Sequence, residues 1–318
     1  MKICTGISAL ALSFILFAGG APGFGFQAGP PPSQITALPP NSGSMPVRSI
    51  VDLPVEELRQ TYAAVLGDIN FDETGIDLDM LLTQVEERVA SFFRDFPNTA
   101  SRERVRRERL SVYGRVEDSV TQTYNYALYP DKTGGWQEGR TDSKGRDVEP
   151  DKMKGVAFLT SGFAGNQVFF HPSHKAGCRY RYLGRQAAEP HAHVIAFAQV
   201  PGKANFVGTF QSAGMAAPTG LLYQGLAWVD PQTFQIVRMR TDLLTPRSDI
   251  LLDRQTSEIW FSEVTFGDTR TFWLPREVVV TFLWSGQRFR NRHSYSEYQV
   301  FTVETQNKIE LPKVKKLP

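Results

Sequence analysis

Apolar positions keep a helical period through one stretch of the chain and then alternate for almost all of the remainder. Leu78, Leu81, Leu82, Val85, Val89, Phe92, Phe93 and Phe96 recur every three or four residues, Asp77 stands where an N-cap belongs, and Pro97 ends the run. A second helical stretch precedes it: in "LPVEELRQTYAAVLG", Val55, Leu58, Tyr62 and Val65 share a face, Asp52 is placed to cap, Pro54 sits in the first turn and Gly67 stops it. Beyond Asn98 the period changes from 3.6 to 2. It predicts strands over Glu108 to Val116, Ser119 to Leu128, Gly155 to Leu159, Gln167 to His171, Arg179 to Leu183 and His193 to Val200. Further strands follow from Phe206 onward, including Ser257 to Phe266, Arg276 to Trp284 and Gln287 to Tyr298. Turn signals such as "DKTGG", "DSKG" and "VPGK" separate them. Connections this short imply antiparallel neighbours, because parallel strands need crossovers of a dozen or more residues. The expected fold class is α+β, a strongly curved antiparallel β-sheet with N-terminal helices packed on it.

One hairpin, "GLAWVDPQTFQIVRM" from Gly225 to Met239, shows the strand logic in detail. Leu226 and Trp228 point to one side and Ala227 and Val229 to the other. Asp230-Pro231-Gln232-Thr233 suits a type I turn. On the return strand Phe234 and Ile236 share a face, and strict alternation puts Arg238 and Arg240 on the same side as these.

The ends of the chain read differently. Lys2 followed by the uncharged run "ISALALSFILFA", Ile7 to Ala18, and then small residues has the pattern of an export signal, with cleavage near Ala21. The apolar run is shorter than the roughly 18 residues a spanning helix requires. The organisation expected is a signal peptide over 1–20, a Pro/Gly/Ser-rich disordered linker over 21–47, a helical N-terminal lid over 48–98, the sheet domain over 99–311 and a basic tail over 312–318. Cys4 precedes the apolar run, so it is not placed as a lipid-accepting cysteine. Loss of the signal leaves Cys178 alone, which excludes an intramolecular disulfide. The 35 Lys and Arg, less Lys2, face 33 Asp and Glu, a formal charge of +1. That balance gives no global field for nucleic acid. The arginine-rich "SRERVRRERL" is interleaved with Glu103 and Glu108 and is expected to be a solvated, salt-bridged face, with a polyanion site as the alternative.

Three segments, "CRYRYLGRQAAEPHAHVIAFAQVPG", "LLYQGLAWVDPQTFQIVRMRTDLL" and "FWLPREVVVTFLWSGQRFRNRHSYSEYQVFTV", resemble exported bacterial proteins common in soil acidobacteria. Those proteins are related to the outer-membrane lipoprotein-sorting, or periplasmic lipoprotein carrier, superfamily. The upstream "ERVASFFRDFPNTASRERVRRERL" and "FLTSGFAGNQVFFHP" are similar to the same group, and together the pieces span most of residues 80–305. The closer group has no assigned activity. The wider superfamily implies a half-barrel, an antiparallel sheet around an apolar cavity with helices as its lid, binding the acyl chains of lipoproteins or other hydrophobic ligands. This chain is longer than the carriers and has the proline-rich linker. No carrier ligand contact aligns with a particular residue of it.

Candidate chemistry is sparse. No GxSxG elbow, HExxH or Walker loop occurs, and "GFGFQAG" lies at the processing site with no strand before it. His171, His174, Cys178, His191 and His193 lie close in sequence, and His191 with His193 would share a strand face, which makes them weak candidates for a tetrahedral metal site. Surface or satisfied histidines are the alternative, and no cofactor is expected. Cys178 is read as an inert buried thiol rather than a nucleophile.

Aromatic and apolar residues remain. Phe92, Phe93, Phe158, Phe169, Tyr182, Phe197, Trp228, Phe234, Ile236, Phe261 and Trp284 are the candidate cavity lining, and Phe170 belongs to the same aromatic set. A dry core is the alternative, since interiors pack to near crystal density. The expected function is that of an exported, non-enzymatic protein holding a lipid or an acylated lipoprotein in the periplasm or outside the cell. The mature chain would have no transmembrane span and no nucleic-acid partner. A cell-envelope interaction module with a packed core and a protein partner is the first alternative, and a metal-dependent hydrolase built on the histidines is the second.

Overall fold

The computed structural model describes residues 47–72, 74–130, 136–148, 164–204, 208–210, 219–267 and 270–301. The expected signal and linker up to residue 46, the predicted strand Gly155 to Leu159 with Phe158, and the chain from residue 302 lie outside the described residues. Three helices occur among them: α1 (Val55–Thr61), α2 (Ala63–Leu66) and α3 (Leu78–Asp95). The strands are β1 (Ile69–Phe71), β2 (Thr99–Leu110), β3 (Val116–Pro130), β4 (Trp136–Thr141), β5 (Cys178–Gln186), β6 (His193–Gln199) and β7 (Gly208–Phe210). The series continues with β8 (Thr219–Leu221), β9 (Tyr223–Val229), β10 (Ile236–Leu243), β11 (Leu252–Phe266), β12 (Arg270–Trp284) and β13 (Gln287–Val300).

Eleven of these strands make one sheet in the order β1-β5-β6-β9-β10-β11-β12-β13-β2-β3-β4, and β7 pairs with β8 alone. Every pairing is antiparallel, and the sheet is unclosed, with β1 and β4 at its edges. A twisted sheet of this width has to curl. Its register shifts supply the bends, since each bulge adds a residue on one strand and increases local twist; they fall at Tyr182/Gly184, Ile236/Arg238, Trp260/Phe261 and Ser296/Gln299, among others. Gly184 is required at the first of them. Its φ is +133°, and a Cβ there would lie 2.0 Å from the Asn70 carbonyl oxygen of β1.

The two faces of the sheet are covered by different helices. On one, α3 packs over Phe197, Ala227, Val229, Ile236, Met239, Ile259, Val278 and Phe282. On the other, Leu58, Val65 and Leu66 of α1 and α2 pack with Ile50 against Leu183, Val194, Ala196, Leu226 and Trp228. The N-terminal helices therefore do not form a single layer, and only α3 covers the face that the half-barrel reading treats as the cavity.

Several expectations need correction. The run Gln167 to Phe170 lies in a 3₁₀ helix, Ala164–Phe170, rather than a strand, and His171 caps the next 3₁₀ turn, Pro172–Gly177; the apolar residues of the run pack from above the sheet. Asp52 does not cap α1. It closes a 3₁₀ turn at Ser49 and accepts Arg179 Nη1 and Nη2, each at 2.7 Å. The Arg238 and Arg240 parity fails at the bulge between Ile236 and Arg238: Ile236 faces α3, while Arg238 stacks over Trp228 on the opposite face, 4.3 Å from the ring centroid. The turn is longer than type I. Asp230 Oδ1 accepts from the Gln232 and Thr233 amides, and Phe234, at φ +58°, donates to the Asp230 carbonyl at 3.0 Å.

Candidate functional site

α3 owes its position to both of its ends. Asp77 Oδ1 accepts the amides of Asp79 and Met80 at 2.9 and 3.2 Å, satisfying donors that the first turn leaves open. Leu81, Leu82, Val85, Val89 and Phe92 are then buried along one stripe. At the far end Phe92 stacks on Phe96 with centroids 4.8 Å apart, and Phe96 meets Phe272 of β12 edge-on at 5.4 Å. Among the described residues the polar ties to the remainder of the fold are few: Arg88 Nε donates to the Thr233 carbonyl at 3.1 Å, and Lys175 pairs with Glu86 at 2.8 Å. Side-chain packing holds the helix down.

Beneath it, Phe169 and Phe170 of the 3₁₀ helix lie against Phe197, with centroids 4.8 and 5.4 Å apart. Of the candidate lining residues, Phe92, Phe169, Tyr182, Phe197, Ile236 and Phe261 are buried in this one cluster, and Phe93, Phe234 and Trp284 pack against it partly exposed. Trp228 lies across the sheet, in the cluster under α1, away from the others. The face is filled by its own side chains, Phe169 and Phe197 being fully buried.

The histidines do not converge. His171 and His174 rings lie 5.8 Å apart, with His171 Nδ1 bonded to Ser173 Oγ at 2.7 Å. His191 sits before β6 at φ +57° and pairs with Glu189, and His193 shares a hydrogen bond of 3.0 Å with Tyr182. Among the described residues no group of three or more His, Cys, Asp or Glu side chains is placed to hold a metal ion. Burial pushes the Cys178 thiol up to about 12, so it is no thiolate at neutral pH.

A second set of residues on the same face has no counterpart in the sequence reading. One row across the sheet runs Ala227, Met239, Ile259, Val278, His293, Val105 and Gln122, so the α3 face continues from apolar strands onto β13, β2, β3 and β4. There it turns polar. Glu103 is fully buried and accepts four hydrogen bonds: Arg140 Nε at 2.5 Å, Arg140 Nη2 at 2.9 Å, His293 Nδ1 at 2.8 Å and Tyr295 Oη at 2.9 Å. Burial pushes the Glu103 carboxyl up, but the charge and hydrogen bonds of Arg140, with those of His293, more than offset it and bring it to about 2. Burial, helped by the Arg140 and Arg107 charges, holds His293 below its ordinary value against the pull of Glu103. The neutral ring then donates its Nδ1 proton to the carboxylate.

"SRERVRRERL" is thus two faces and not one solvated face: Glu103, Val105 and Arg107 are buried, and Arg102, Arg104 and Arg106 are exposed. Strict alternation in the sequence shows this division; the partners Arg140 and His293, 37 and 190 residues away, do not show in it. A cavity of about 10 Å³, the size of one water site, marks the seam between the two halves and is lined by Phe96, Leu128 and Leu274 on the apolar side and Tyr126, Tyr295 and Tyr298 on the other.

No family model matches the chain, and no curated protein matches it. Solved structures resemble it at low identity. A LolA superfamily protein from Nitrosomonas europaea is 12% identical over 70% of this chain and 94% of its own, with a TM-score of 0.34. A domain described as an outer membrane lipoprotein-sorting protein from Vibrio parahaemolyticus is 13% identical over 72% and 96%, with a TM-score of 0.38. A DUF1329 family protein from Desulfovibrio piger is 9% identical over 70% and 92%, with a TM-score of 0.24. At these identities and TM-scores nothing about ligand or activity transfers, and function rests on the residues of this chain.

Proposed function

We propose that this is an exported, non-enzymatic binding protein that holds a hydrophobic ligand, a lipid or the acyl chain of a lipoprotein, between the sheet and α3, in the periplasm or outside the cell. The observation that carries the reading is the attachment of α3. One amphipathic helix covers an extended apolar face and is held there by side-chain packing with few polar ties.

The magnitudes are compatible with exchange. Lifting α3 exposes Leu81, Leu82, Val85, Val89, Phe92 and Phe96 and the floor beneath them; at about 2 kcal/mol for each of these side chains the cost is on the order of 12 kcal/mol. Burial of a methylene returns about 0.8 kcal/mol, so an acyl chain of roughly 15 carbons offsets the loss. Residues 1–20 act as the cleaved signal and 21–47 as the tether in this reading. Among the described residues no helix is long and apolar enough to cross a membrane.

Native mass spectrometry of the purified protein, with titration of a fluorescent fatty-acyl probe, tests the proposal: a co-purifying lipid or saturable uptake is expected, and the absence of both contradicts it. A second reading, a cell-envelope interaction module, is favoured by one observation, that the α3 face is already filled by Phe169, Phe197 and their neighbours. Envelope crosslinking that captures one protein partner, with no acyl uptake, would select it.

A further inference from the structure

The outer side of β2, β3 and β13, opposite α3, carries an arrangement that neither the ligand reading nor the stability of the sheet accounts for. Arg102, Arg104 and Arg106 project from β2, and Arg290 and Arg292 from β13 beside it. Arg106 and Arg292 are directly opposite each other across the strand pair, 48% and 44% exposed. Like charges at facing positions weaken a sheet.

The carboxylate between them only partly offsets this repulsion. Glu108 is buried under three guanidinium groups, with Arg106 Nε at 2.9 Å, Arg290 Nε at 2.5 Å and Arg292 Nε at 3.6 Å. Arg102 reaches Glu297 at 3.4 Å, and Glu277 lies opposite Ser294 one strand further on. Five arginines therefore face three carboxylates. Beside these arginines the neighbouring strand adds no acid, since Ser119, Thr121, Thr123 and Asn125 of β3 stand opposite Glu108, Arg106, Arg104 and Arg102, and its Glu117 and Asp118 lie nearer the turn against Arg109.

The same two strands end in a turn that exposes apolar side chains. Ser111 N–H bonds to the Arg115 carbonyl at 2.8 Å and Gly114 adopts φ +78°, a tight closure that leaves Val112 71% and Tyr113 87% exposed. Arg109 and Arg115 flank the tip, with Glu117 3.6 Å from Arg109. Tyrosine and aliphatic side chains beside arginines match the lipid head-group region, where an aromatic ring sits at the interface and guanidinium groups meet phosphates. A soluble polyanion would engage the arginines and leave Val112 and Tyr113 without a role.

We propose that the outer face of β2, β3 and β13, together with the β2–β3 turn, docks this protein on an anionic phospholipid bilayer. The inference is independent of whether the α3 face holds a ligand.

Sedimentation of the purified protein with vesicles tests it. Binding is expected to vesicles of phosphatidylcholine containing one-third phosphatidylglycerol, to be much weaker on phosphatidylcholine alone, and to be lost in about 1 M salt, where the screening length is about 3 Å. The combined variant Arg104→Gln, Arg106→Gln and Arg292→Gln should bind roughly 100-fold more weakly, about fivefold for each arginine. Its melting temperature should fall, because Arg106 and Arg292 are also partners of the buried Glu108, whereas Arg104→Gln alone should leave it unchanged. Tyr113→Ser should weaken binding several-fold by itself. If the combined variant fails to fold, Arg104→Gln alone and the salt titration of the unaltered protein carry the same test. Equal binding to both vesicle types, unaltered binding by the arginine variants, or binding to soluble heparin without binding to anionic vesicles would each overturn the proposal.

Discussion

The face beneath α3 has two halves made on different strands of one sheet by opposite chemistry. Toward β5, β6 and β9–β12 it is Phe169, Phe197, Ile236, Met239 and Ile259 under a helix; toward β13, β2 and β4 it is a carboxylate fixed by a guanidinium, an imidazole and a phenol. Apolar packing is non-directional, so the first half tolerates exchange of one apolar partner for another. The second half is fully hydrogen-bonded around Glu103 and tolerates no loss of a partner, because an uncompensated buried charge is expensive. On the proposed function, one half opens and closes over a ligand while the other pins the far strands.

Removing a partner from each half should show the contrast most strongly. Arg140→Leu strands the Glu103 carboxylate and is expected to cost about 3–5 kcal/mol in urea unfolding at neutral pH. The loss should shrink in acid as Glu103 takes up a proton. Phe197→Ala should cost a similar ~3–5 kcal/mol through its cavity, with no such pH dependence. An equal pH response of the two variants would erase the distinction.

Acid acts most directly on the polar half, where Glu103 and His293 are both buried. Glu103 is depressed from 4.5 to about 2, so its contribution is present above 4.5 and is lost as pH falls toward 2, about 3 kcal/mol in all. His293 is also depressed from its ordinary 6.5, so the unfolded chain binds the extra proton and stability starts to fall below that pH. Thermal melts from pH 7 to 3 should therefore decline in two stages, and His293→Asn should shrink the upper one, to which His171 and His193, also held below 6.5 by burial, contribute the remainder. A melt that is flat between pH 7 and 5 would show that His293 does not titrate in this way.

The smallest effect belongs to the lid. Asp77→Ala removes the cap of α3 and should cost about 1 kcal/mol locally. Amide exchange should rise roughly fivefold over residues 78–95 with the sheet unchanged. A uniform rise across the sheet would mean that α3 opens only with the whole fold.

The apolar half was legible in the sequence because periodicity reports burial directly. The α3 stripe from Leu78 to Phe96 and the opposite facing of Trp228 and Val229 follow from periods of 3.6 and 2. Alternation on either side of Ile236 held, and the bulge that sends Arg238 to the far face has no local signature. Apolar content misplaced Gln167 to His171 as a strand, since a short apolar run reads alike in either form. The polar half was not legible. Alternation divides the strand into two faces, but the partners that bury Glu103, Arg140 of β4 and His293 of β13, come beside it only in the assembled sheet, and His293 lies far from the other four histidines in sequence.

If α3 is a lid over an apolar face, amide hydrogen exchange with and without a fluorescent fatty-acyl ligand should show it. Residues 78–95 should exchange through a local opening faster than β11 and β12, and the ligand should change protection on α3 and on its floor around Phe169 and Phe197 while the Glu103 strands stay constant. Exchange of α3 only through global unfolding, with no change on adding the ligand, would contradict it.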